Sequence, residues 1–357
     1  MKPMYIRSAA CISPQESFGQ GELFELALHR DTNSMTCVEP DYSKYINPVQ
    51  IRRMSRALKM GFSAAMECLK QEPERIPEAI IIGTGKGCMS DTEIFLHSIR
   101  EYQETALNAT YFIHSTYNQL NGMIALNKKI NSYNVTYVHR GFSFEHALLD
   151  AALHFAEGDA KNILVGSFDE MTREHFTVKK HWGYWKQEKV QSDLLLLSET
   201  PGTIAGEGTS FYLLSDTPPD DKPCAAIRHV STLYKPDQQD MQIALEALLR
   251  ENDLKPEDID LLMLGENGDT DRPGHYAWMK QTLASATPLY FKHLCGEYDT
   301  ATNFACWLSR CILEQQRIPE YAYHPADDRR HGNQKIKRLL IYNNYFDLNQ
   351  SLVLMNV

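Results

Sequence analysis

Apolar and polar residues follow one another in blocks that predict helices leading into buried strands. ALKMGFSAAMECLKQE at 57–72 has apolar residues at helical spacing, and the polar turn PERIPE connects it to AIIIG at 79–83. A short apolar run that ends in glycine is typical of a buried strand. The same order returns as MQIALEALLREND at 241–253, KPEDID, and LLMLG at 261–265. The pattern therefore predicts one helix–turn–strand unit that occurs twice.

A strand followed by a long helix also occurs in both parts of the chain. NVTYV at 134–138 leads into FSFEHALLDAALHFAEG at 142–158, and PLYF at 288–291 leads into TATNFACWLSRCILEQQ at 300–316. Two further strands close each part, at 162–166 and 209–214 in the first and at 338–342 and 351–355 in the second. Apolar strands that alternate with helices indicate sheets covered on both faces, an α/β layered architecture. Three matched features in the same order favour an internal duplication over a single unrepeated α/β fold.

The segment SDTPPDDKPC at 215–224 separates the two parts. Its prolines and aspartates leave almost nothing to bury, which is typical of a connection. We predict an N-terminal half over 1–215, a connection over 216–224 and a C-terminal half over 225–357.

Composition narrows the function classes. Of 357 residues, 36 are Lys or Arg and 46 are Asp or Glu, a net charge of −10 that argues against electrostatic binding of nucleic acid. No apolar stretch approaches the roughly 20 residues that span a bilayer, and the N-terminus lacks the apolar core of a secretory signal. The eight cysteines show no CxxC spacing, so we expect reduced thiols in a cytoplasmic protein, with no metal site and no cofactor.

The turn from the 134–138 strand into the following helix is the natural position for a nucleophile. Free backbone N–H groups at a helix start favour an anion and lower the pKa of a thiol. Here the turn carries Gly141, flanked by His139, Arg140 and Ser143. Glycine cannot attack a substrate. A tight turn with Ser143 near the helix N-cap is the favoured interpretation, and a serine nucleophile is the alternative.

Two polar loops in the second half are weaker candidates. GENGDTDRPGHY after the 261–265 strand has no metal-ligand spacing, and a solvated loop is the favoured interpretation. FKHLCGEYD at 291–299 places Lys292 close to Glu297. Such a pair often forms only an ion pair, and a functional role requires that Lys292 point inward.

Four segments, taken in order, resemble the β-ketoacyl-acyl-carrier-protein synthases of the thiolase superfamily. They are IIIGTGKG at 80–87, GEGTSFYLL at 206–214, FKHLCGE at 291–297 and NQSLVL at 349–354. The resemblance covers nearly the whole chain and implies a thiolase-like duplicated αβαβα layered sandwich.

The resemblance also identifies departures at the reaction centre. The position of the family's acyl-carrying cysteine is Gly141, and the two histidine positions are Asn267 and Glu297, while the family's lysine is retained as Lys292. Covalent acyl transfer needs an attacking atom, and decarboxylation needs donors for developing negative charge. The condensing reaction should therefore not run on these residues, and we expect a protein that is inactive alone. The family's GFGG loop is replaced by the bulkier residues 344–347.

This pattern resembles the chain-length factors, which are synthase-like subunits without the nucleophile. It is especially similar to those of bacterial aryl-polyene and flexirubin-type pigment clusters, through residues 115–151. The implied partners are an active synthase in a heterodimer, or a second copy of this chain, and an acyl carrier protein. The implied interface or tunnel residues are Tyr117, Asn118, Asn121, Met123, Tyr345 and Phe346. For any one of the first four, an ordinary core position is an equally good interpretation.

An acidic carrier protein would be steered by a basic patch. IRRMSRALK at 51–59 supplies Arg52, Arg53, Arg56 and Lys59 within two predicted helical turns. The alternative is a solvated helix face whose long side chains cover apolar surface.

Three hypotheses follow from the sequence. The first is a non-catalytic subunit of fatty-acid or polyene (polyketide) biosynthesis. The second is an enzyme, either an active 3-oxoacyl synthase or an acyl transferase or hydrolase with reassigned residues such as His139, Arg140 or Ser143. The third is a self-associating scaffold that binds acyl chains.

Overall fold

Ten strands and eleven α-helices form the molecule in a computed structural model that describes residues 1–19, 23, 25–220 and 222–357. The strands are β1 (Met4–Ile12), β2 (Ala79–Gly83), β3 (Tyr133–Tyr137), β4 (Asn162–Asp169), β5 (Gly208–Ser215), β6 (Ala226–Tyr234), β7 (Leu261–Leu264), β8 (Thr287–Tyr290), β9 (Arg338–Tyr345) and β10 (Asn349–Asn356). The helices are α1 (Pro48–Ile51), α2 (Arg56–Lys70), α3 (Met89–Glu101), α4 (Ala109–His114), α5 (Gln119–Lys128), α6 (Ser143–Glu157), α7 (Arg173–His181), α8 (Gln238–Glu251), α9 (Tyr276–Thr282), α10 (Lys292–Cys295) and α11 (Thr302–Gln315).

The two halves repeat one strand order. The first half runs β3-β2-β4-β5-β1 and the second runs β8-β7-β9-β10-β6. In each half the three outer strands are parallel, and the last two strands pair antiparallel to their neighbours. The halves meet where β1 pairs with β6, at Met4–Ile227 and Tyr5–Ala226. The duplication inferred from the sequence is therefore present in the sheet topology.

The strands and helices form five layers, in which the strands of the two halves alternate with three layers of helices. The long helices α6 and α11 share a buried apolar cluster with residues from the strands of both halves, which makes them the central layer. On the outer face of the first half, α2 and α5 cover the other side of the strands, and α8 and α9 do the same in the second half. The predicted α/β layered sandwich of thiolase type is confirmed.

The elements expected from the sequence are found with small shifts at their ends. The 142–158 helix is α6, which ends at Gly158 in a left-handed conformation, and the strand at 79–83 is β2. Strands β1 and β6 were not expected. The connection predicted over 216–224 lies between β5 and β6, and its residue 221 lies outside the described residues. The exact boundaries of the halves remain a prediction. In the described part of the chain, no helix is long and apolar enough to cross a membrane.

Candidate functional site

The turn between β3 and α6 has an unusual backbone. A 3₁₀ turn over Arg140–Phe142 joins the two elements, and Arg140 has a φ of 49°. The Ser143 hydroxyl accepts a hydrogen bond from the His139 N–H at 2.8 Å and donates one to the Arg140 carbonyl at 2.9 Å. Both hydrogen bonds of this hydroxyl stabilise the conformation of the turn, so the Ser143 side chain has a structural role.

Gly141 is buried at the point where the family resemblance places a cysteine. A β-carbon at this residue would lie 2.8 Å from Cδ1 of Tyr345 and 2.9 Å from its Cβ and Cγ. Carbon atoms in good contact are about 3.5–4.0 Å apart. A larger side chain at 141 therefore fits only if the Tyr345 ring moves. The ring takes the space that the side chain of a nucleophile would need.

Charged groups hold the Tyr345 hydroxyl in place. It accepts a hydrogen bond from Lys179 Nζ at 2.7 Å and donates one to Asp299 Oδ1 at 2.8 Å. Asp299 Oδ2 lies 2.6 Å from Lys86 Nζ and 3.7 Å from Lys179 Nζ. Burial opposes ionisation of Asp299, but the two ammonium groups hold the pKa of its carboxyl well below its usual range. The position of the Tyr345 ring over Gly141 is thus fixed through its hydroxyl, which belongs to a network of ion pairs and hydrogen bonds.

Aromatic side chains enclose the Lys179 ammonium. Its nitrogen lies 5.3–5.7 Å from the ring centroids of Tyr184, Trp185, Tyr345 and Phe346. Burial lowers the pKa of Lys179, against the attraction of its carboxylate partner. Phe346 has a φ of 53°, a costly conformation for a bulky residue, and its ring packs edge-on against Tyr184 at 4.2 Å. We call these four rings and Lys179 the aromatic cage.

The remaining positions of the reaction centre meet in a second buried cluster. Lys292 Nζ forms an ion pair with Glu297 Oε1, and Asn267 Nδ2 donates to Glu297 Oε2 at 2.8 Å. Burial raises the pKa of Glu297, while the Lys292 ammonium acts in the opposite direction. Lys292 does point inward, yet its charge is neutralised by Glu297. The lysine and the amide donor are both engaged by this one carboxylate.

The backbone around Glu297 is held by residues 204–206, which lead into β5. The Glu297 N–H donates to the Ile204 carbonyl at 2.8 Å, and the Glu297 carbonyl accepts from the Gly206 N–H at 2.9 Å. A β-carbon on Gly206 would lie 2.0 Å from the Cys295 carbonyl oxygen, so only glycine permits this approach. The glycine at the start of the GEGTSFYLL segment thus has a structural cause.

The polar loop after β7 forms hydrogen bonds within itself and with the loop that contains Gly202. Asp269 Oδ1 accepts from the Gly202 N–H at 2.8 Å, and Asp269 Oδ2 accepts from Arg272 at 2.8 Å. In the described residues, no group of three or more His, Cys, Asp or Glu side chains is placed to hold a metal ion.

The basic segment at 51–59 does not lie on one helix. Helix α1 ends at Ile51 and α2 begins at Arg56, so the two predicted helical turns are interrupted. Arg56 forms a two-pronged ion pair with the buried Glu207, at 2.6 and 2.7 Å. Its guanidinium is therefore a structural group, whereas Arg52 and Arg53 are exposed. Lys59 is half-buried and lies 5.8 Å from the ring centroid of Tyr42.

Of the six residues predicted at the interface or tunnel, Tyr345 and Phe346 are buried in the aromatic cage, and the other four have different surroundings. Tyr117 and Asn118 are exposed. Asn121 is buried and ties α5 to β3, because its Nδ2 donates to the Val135 carbonyl at 2.6 Å. Met123 is half-buried against the outer core of the first half. Only Tyr117 and Asn118 are thus open to a partner.

Several charged residues of the centre were not identified from the sequence. Lys86, Lys179 and Asp299 hold Tyr345, although Asp299 is only two residues beyond Glu297 and Lys86 lies within the GTGKG turn. Glu145 on α6 was also missed; it is buried and accepts from Thr302 and Ser351 at 2.6 and 2.8 Å. A signal existed for Lys86 and Asp299, since each adjoins a motif of the family. Lys179 has none, because it arrives from a distant helix.

At three positions of the centre, these contacts leave no side chain free to attack a thioester. Gly141 has no side chain, the Ser143 hydroxyl holds the turn, and Lys292 is paired. A carboxylate at 297 would also repel the negative charge that forms during acyl condensation.

The fold and part of the sequence match known proteins. The family model described as the β-ketoacyl synthase N-terminal domain matches residues 29–194. The chain has a ketosynthase-like fold. The ishigamide ketosynthase/chain length factor superimposes with a TM-score of 0.82 at 13% identity, over 100% of this chain and 99% of that chain. The resemblance drawn from the sequence motifs is confirmed.

Two further structures match this ketosynthase-like chain over its whole length. A β-ketoacyl synthase from Burkholderia phymatum gives a TM-score of 0.79 at 14% identity, with 99% of that chain covered. A ketosynthase in complex with its chain length factor from Xenorhabdus doucetiae gives 0.75 at 15% identity, with 98% covered. No curated protein matches the sequence significantly. At these identities the structural matches establish the fold.

Proposed function

We propose that this chain is a non-catalytic, chain-length-factor-type subunit that pairs with an active β-ketoacyl-acyl-carrier-protein synthase in the cytoplasm. The observation that carries the proposal is the Tyr345 ring, which packs where a side chain at Gly141 would stand. The pathway class is fatty-acid or polyene (polyketide) synthesis, of the bacterial aryl-polyene type. Solved ketosynthase and chain-length-factor structures of the same fold support this assignment.

The filled centre supports a structural role over a changed chemistry. Reassigned catalysis would need a nucleophile with a base beside it. The Ser143 hydroxyl is engaged by two backbone groups, and His139 and Arg140 are exposed on the outside of the turn. An acyl adduct on this chain is therefore an outcome that the proposal excludes.

An uncovered strand supports a partner subunit. β3 and β8 are the two edge strands of the sheet and occupy equivalent positions in the two halves. All four residues of β8 are buried, because the chain between α11 and β9 covers this strand. In this covering segment, His324 packs against Tyr290 and His331 contacts Thr287. β3 has no fully buried residue. An open edge strand presents unpaired backbone groups that favour pairing with another chain.

Exposed apolar side chains follow β3 in the chain or lie on the segment that leads into α5, the helix that Asn121 ties to β3. Phe112 and Ile113 on α4 are 57% and 51% exposed, and Tyr117 and Val138 are also exposed. We call these four residues and the strand β3 the β3 face. Apolar groups of this kind on one side of a molecule are typical of protein–protein contacts.

The carrier protein would meet the basic residues that the fold leaves available. These are Arg52 and Arg53, which are exposed beside the half-buried Lys59. An acidic carrier would be attracted to such a patch on an otherwise acidic subunit.

Co-expression with an active β-ketoacyl synthase from the same organism tests the proposal. We expect a stable complex of the two chains in gel filtration, with one copy of each by native mass spectrometry. When the complex is incubated with malonyl and acyl carrier thioesters, intact-mass analysis should find acyl groups on the synthase alone.

Two results would contradict the proposal. A covalent acyl group on this chain, or elongation of malonyl units by the purified chain alone, would favour an enzyme. A stable homodimer with no affinity for the synthase would favour the self-associating scaffold.

A further inference from the structure

A groove of about 470 Å³ opens beside the β3–α6 turn. Both halves of the chain contribute to it, which places it where the end of β3 approaches the β9–β10 hairpin and the end of β6. Its lining residues are Val138, His139, Arg140, Tyr234, Leu348 and Asn349.

Two cationic side chains, those of Arg140 and Lys235, lie at the groove. Arg140 is exposed, and in the described part of the chain its guanidinium has no carboxylate or hydrogen-bond partner. Lys235 Nζ lies 5.3 Å from the Tyr234 ring centroid, and the His139 ring is 5.1 Å from that of His146. In a chain with a net charge of −10, two cations without an ion-pair partner among the described residues, Arg140 and Lys235, therefore lie at this groove.

The carboxylate closest to the lining residues along the chain forms no ion pair with Arg140 or Lys235 among the described residues. Asp347 adjoins Leu348, and its Oδ1 accepts a hydrogen bond from Asn344 Nδ2 at 2.6 Å. The Asp347 N–H in turn donates to Asn344 Oδ1 at 2.9 Å. These contacts engage Asp347 within its own hairpin turn.

Tight turns position the two strongest cations. Arg140 has a φ of 49° and Lys235 a φ of 47°, both in the left-handed region that is unfavourable for residues other than glycine. The hydrogen bonds of the Ser143 hydroxyl stabilise the first turn, and a hydrogen bond from the Lys235 N–H to the Leu348 carbonyl at 2.8 Å stabilises the second. Backbone strain of this kind concentrates at binding and active sites.

We propose that the groove receives a carboxylate side chain of the partner synthase, bound by Arg140 and Lys235. The inference rests on the proposed function, because that function supplies the partner. The groove continues the β3 face, since Val138 directly follows β3. A guanidinium binds a carboxylate through two parallel hydrogen bonds, and a neighbouring ammonium adds attraction. Such a contact fixes the register of two subunits and speeds their association.

Charge reversal at the groove tests the assignment. Affinity of the purified chain for the synthase is measured by biolayer interferometry between 50 and 500 mM NaCl for the wild type, Arg140→Glu and Arg317→Glu. We expect Arg140→Glu to bind about tenfold more weakly at low salt, because rim charges act mainly on the association rate. Its affinity should also depend less on salt. Arg317 is an exposed arginine of the second half and serves as the matched control.

A zero-length cross-link identifies the carboxylate. Treatment of the complex with a carbodiimide joins an amine to a contacting carboxylate as an amide, and peptide mass spectrometry should find Lys235 linked to an Asp or Glu of the synthase. Unchanged binding by Arg140→Glu would overturn the groove assignment and leave the proposed function intact. Absence of any complex with the wild-type chain would overturn both.

Discussion

The buried centre beneath the β3–α6 turn and the β3 face differ in whether their side chains have partners within the chain. In the centre, Lys292 and Glu297 neutralise each other and Tyr345 packs on Gly141. At the β3 face, apolar side chains and a strand edge lie open, although the equivalent strand β8 is covered. The buried centre is thus internally paired, whereas the β3 face leaves apolar side chains and a strand edge exposed.

The edge strands β3 and β8 differ in whether other segments of the chain pack over them. Both strands occupy the same position in the repeated topology, so the repeat itself does not require one to be exposed. His293 Nε2 contacts the Tyr321 carbonyl at 2.8 Å, one of the contacts that hold the covering segment of the second half. An edge strand left open while its counterpart is covered supports the partner subunit proposed above.

The largest effect is expected from breaking the buried ion pair. Glu297→Gln leaves the Lys292 ammonium without its charged partner in a dry site, which should reduce the free energy of unfolding by about 3–5 kcal/mol. Urea unfolding followed by circular dichroism measures this loss.

The double variant Lys292→Met with Glu297→Gln is the control for that change. It removes both charges, so it should be more stable than Glu297→Gln alone. If its loss of stability equals the sum of the two single losses, the groups are not coupled and the centre is not held by this pair.

A second prediction concerns Glu170, which directly follows β4 and accepts from the Ser90 N–H at 2.9 Å. Burial raises the pKa of this carboxyl to about 7, against the hydrogen bond from Ser90. Between roughly pH 4.3, the unfolded value, and pH 7, the folded chain keeps a proton that the unfolded chain has released. The free energy of unfolding should therefore fall as pH rises through this window, by about 3 kcal/mol.

Glu170→Gln should remove that dependence, since the amide does not titrate and its oxygen still accepts from Ser90. Urea titrations at pH 5 and pH 8 measure the difference for each variant. The exposed Glu157→Gln is the matched control and should behave like the wild type. An equal pH dependence in Glu170→Gln would show that other groups cause it.

The sequence was sufficient for the repeated architecture but not for all of its strands. Runs such as AIIIG and LLMLG are apolar throughout because both faces of the strand are buried, and that signal is strong. β1 and β6 mix polar residues such as Arg7 and His229 into their pattern. Their strand state depends on pairing with distant segments, which a local pattern does not contain.

The centre was predictable as a set of positions, whereas its contacts were not. Alignment with family motifs identified Gly141, Asn267, Glu297 and Lys292, and the last three do meet. Their pairing depends on folding that brings separate loops together. Lys179 reaches Tyr345 across 166 positions of sequence, so no local motif could indicate that contact.

A third prediction tests the open side of the comparison. The double variant Phe112→Glu/Ile113→Glu places two charges on the β3 face, which should weaken binding to the synthase about 100-fold because they are desolvated in the complex. Ile243→Glu is the control, since Ile243 is 58% exposed on α8 of the second half. Equal affinities of the two variants, measured by isothermal titration, would mean that the partner binds elsewhere.

The smallest effect is expected when a thiol is returned to the turn. In Gly141→Cys, the new side chain meets the Tyr345 ring, and overpacking of this kind costs about 1–3 kcal/mol of unfolding free energy. Gly122→Cys is the matched control, because a β-carbon there meets no atom within 4 Å. Intact mass after incubation with an acyl carrier thioester should show no acyl group on Gly141→Cys, since the Tyr345 ring occupies the space that an acyl group on this thiol would need. A stable, acylated Gly141→Cys would mean that the Tyr345 ring moves aside easily and that the centre is only lacking its nucleophile.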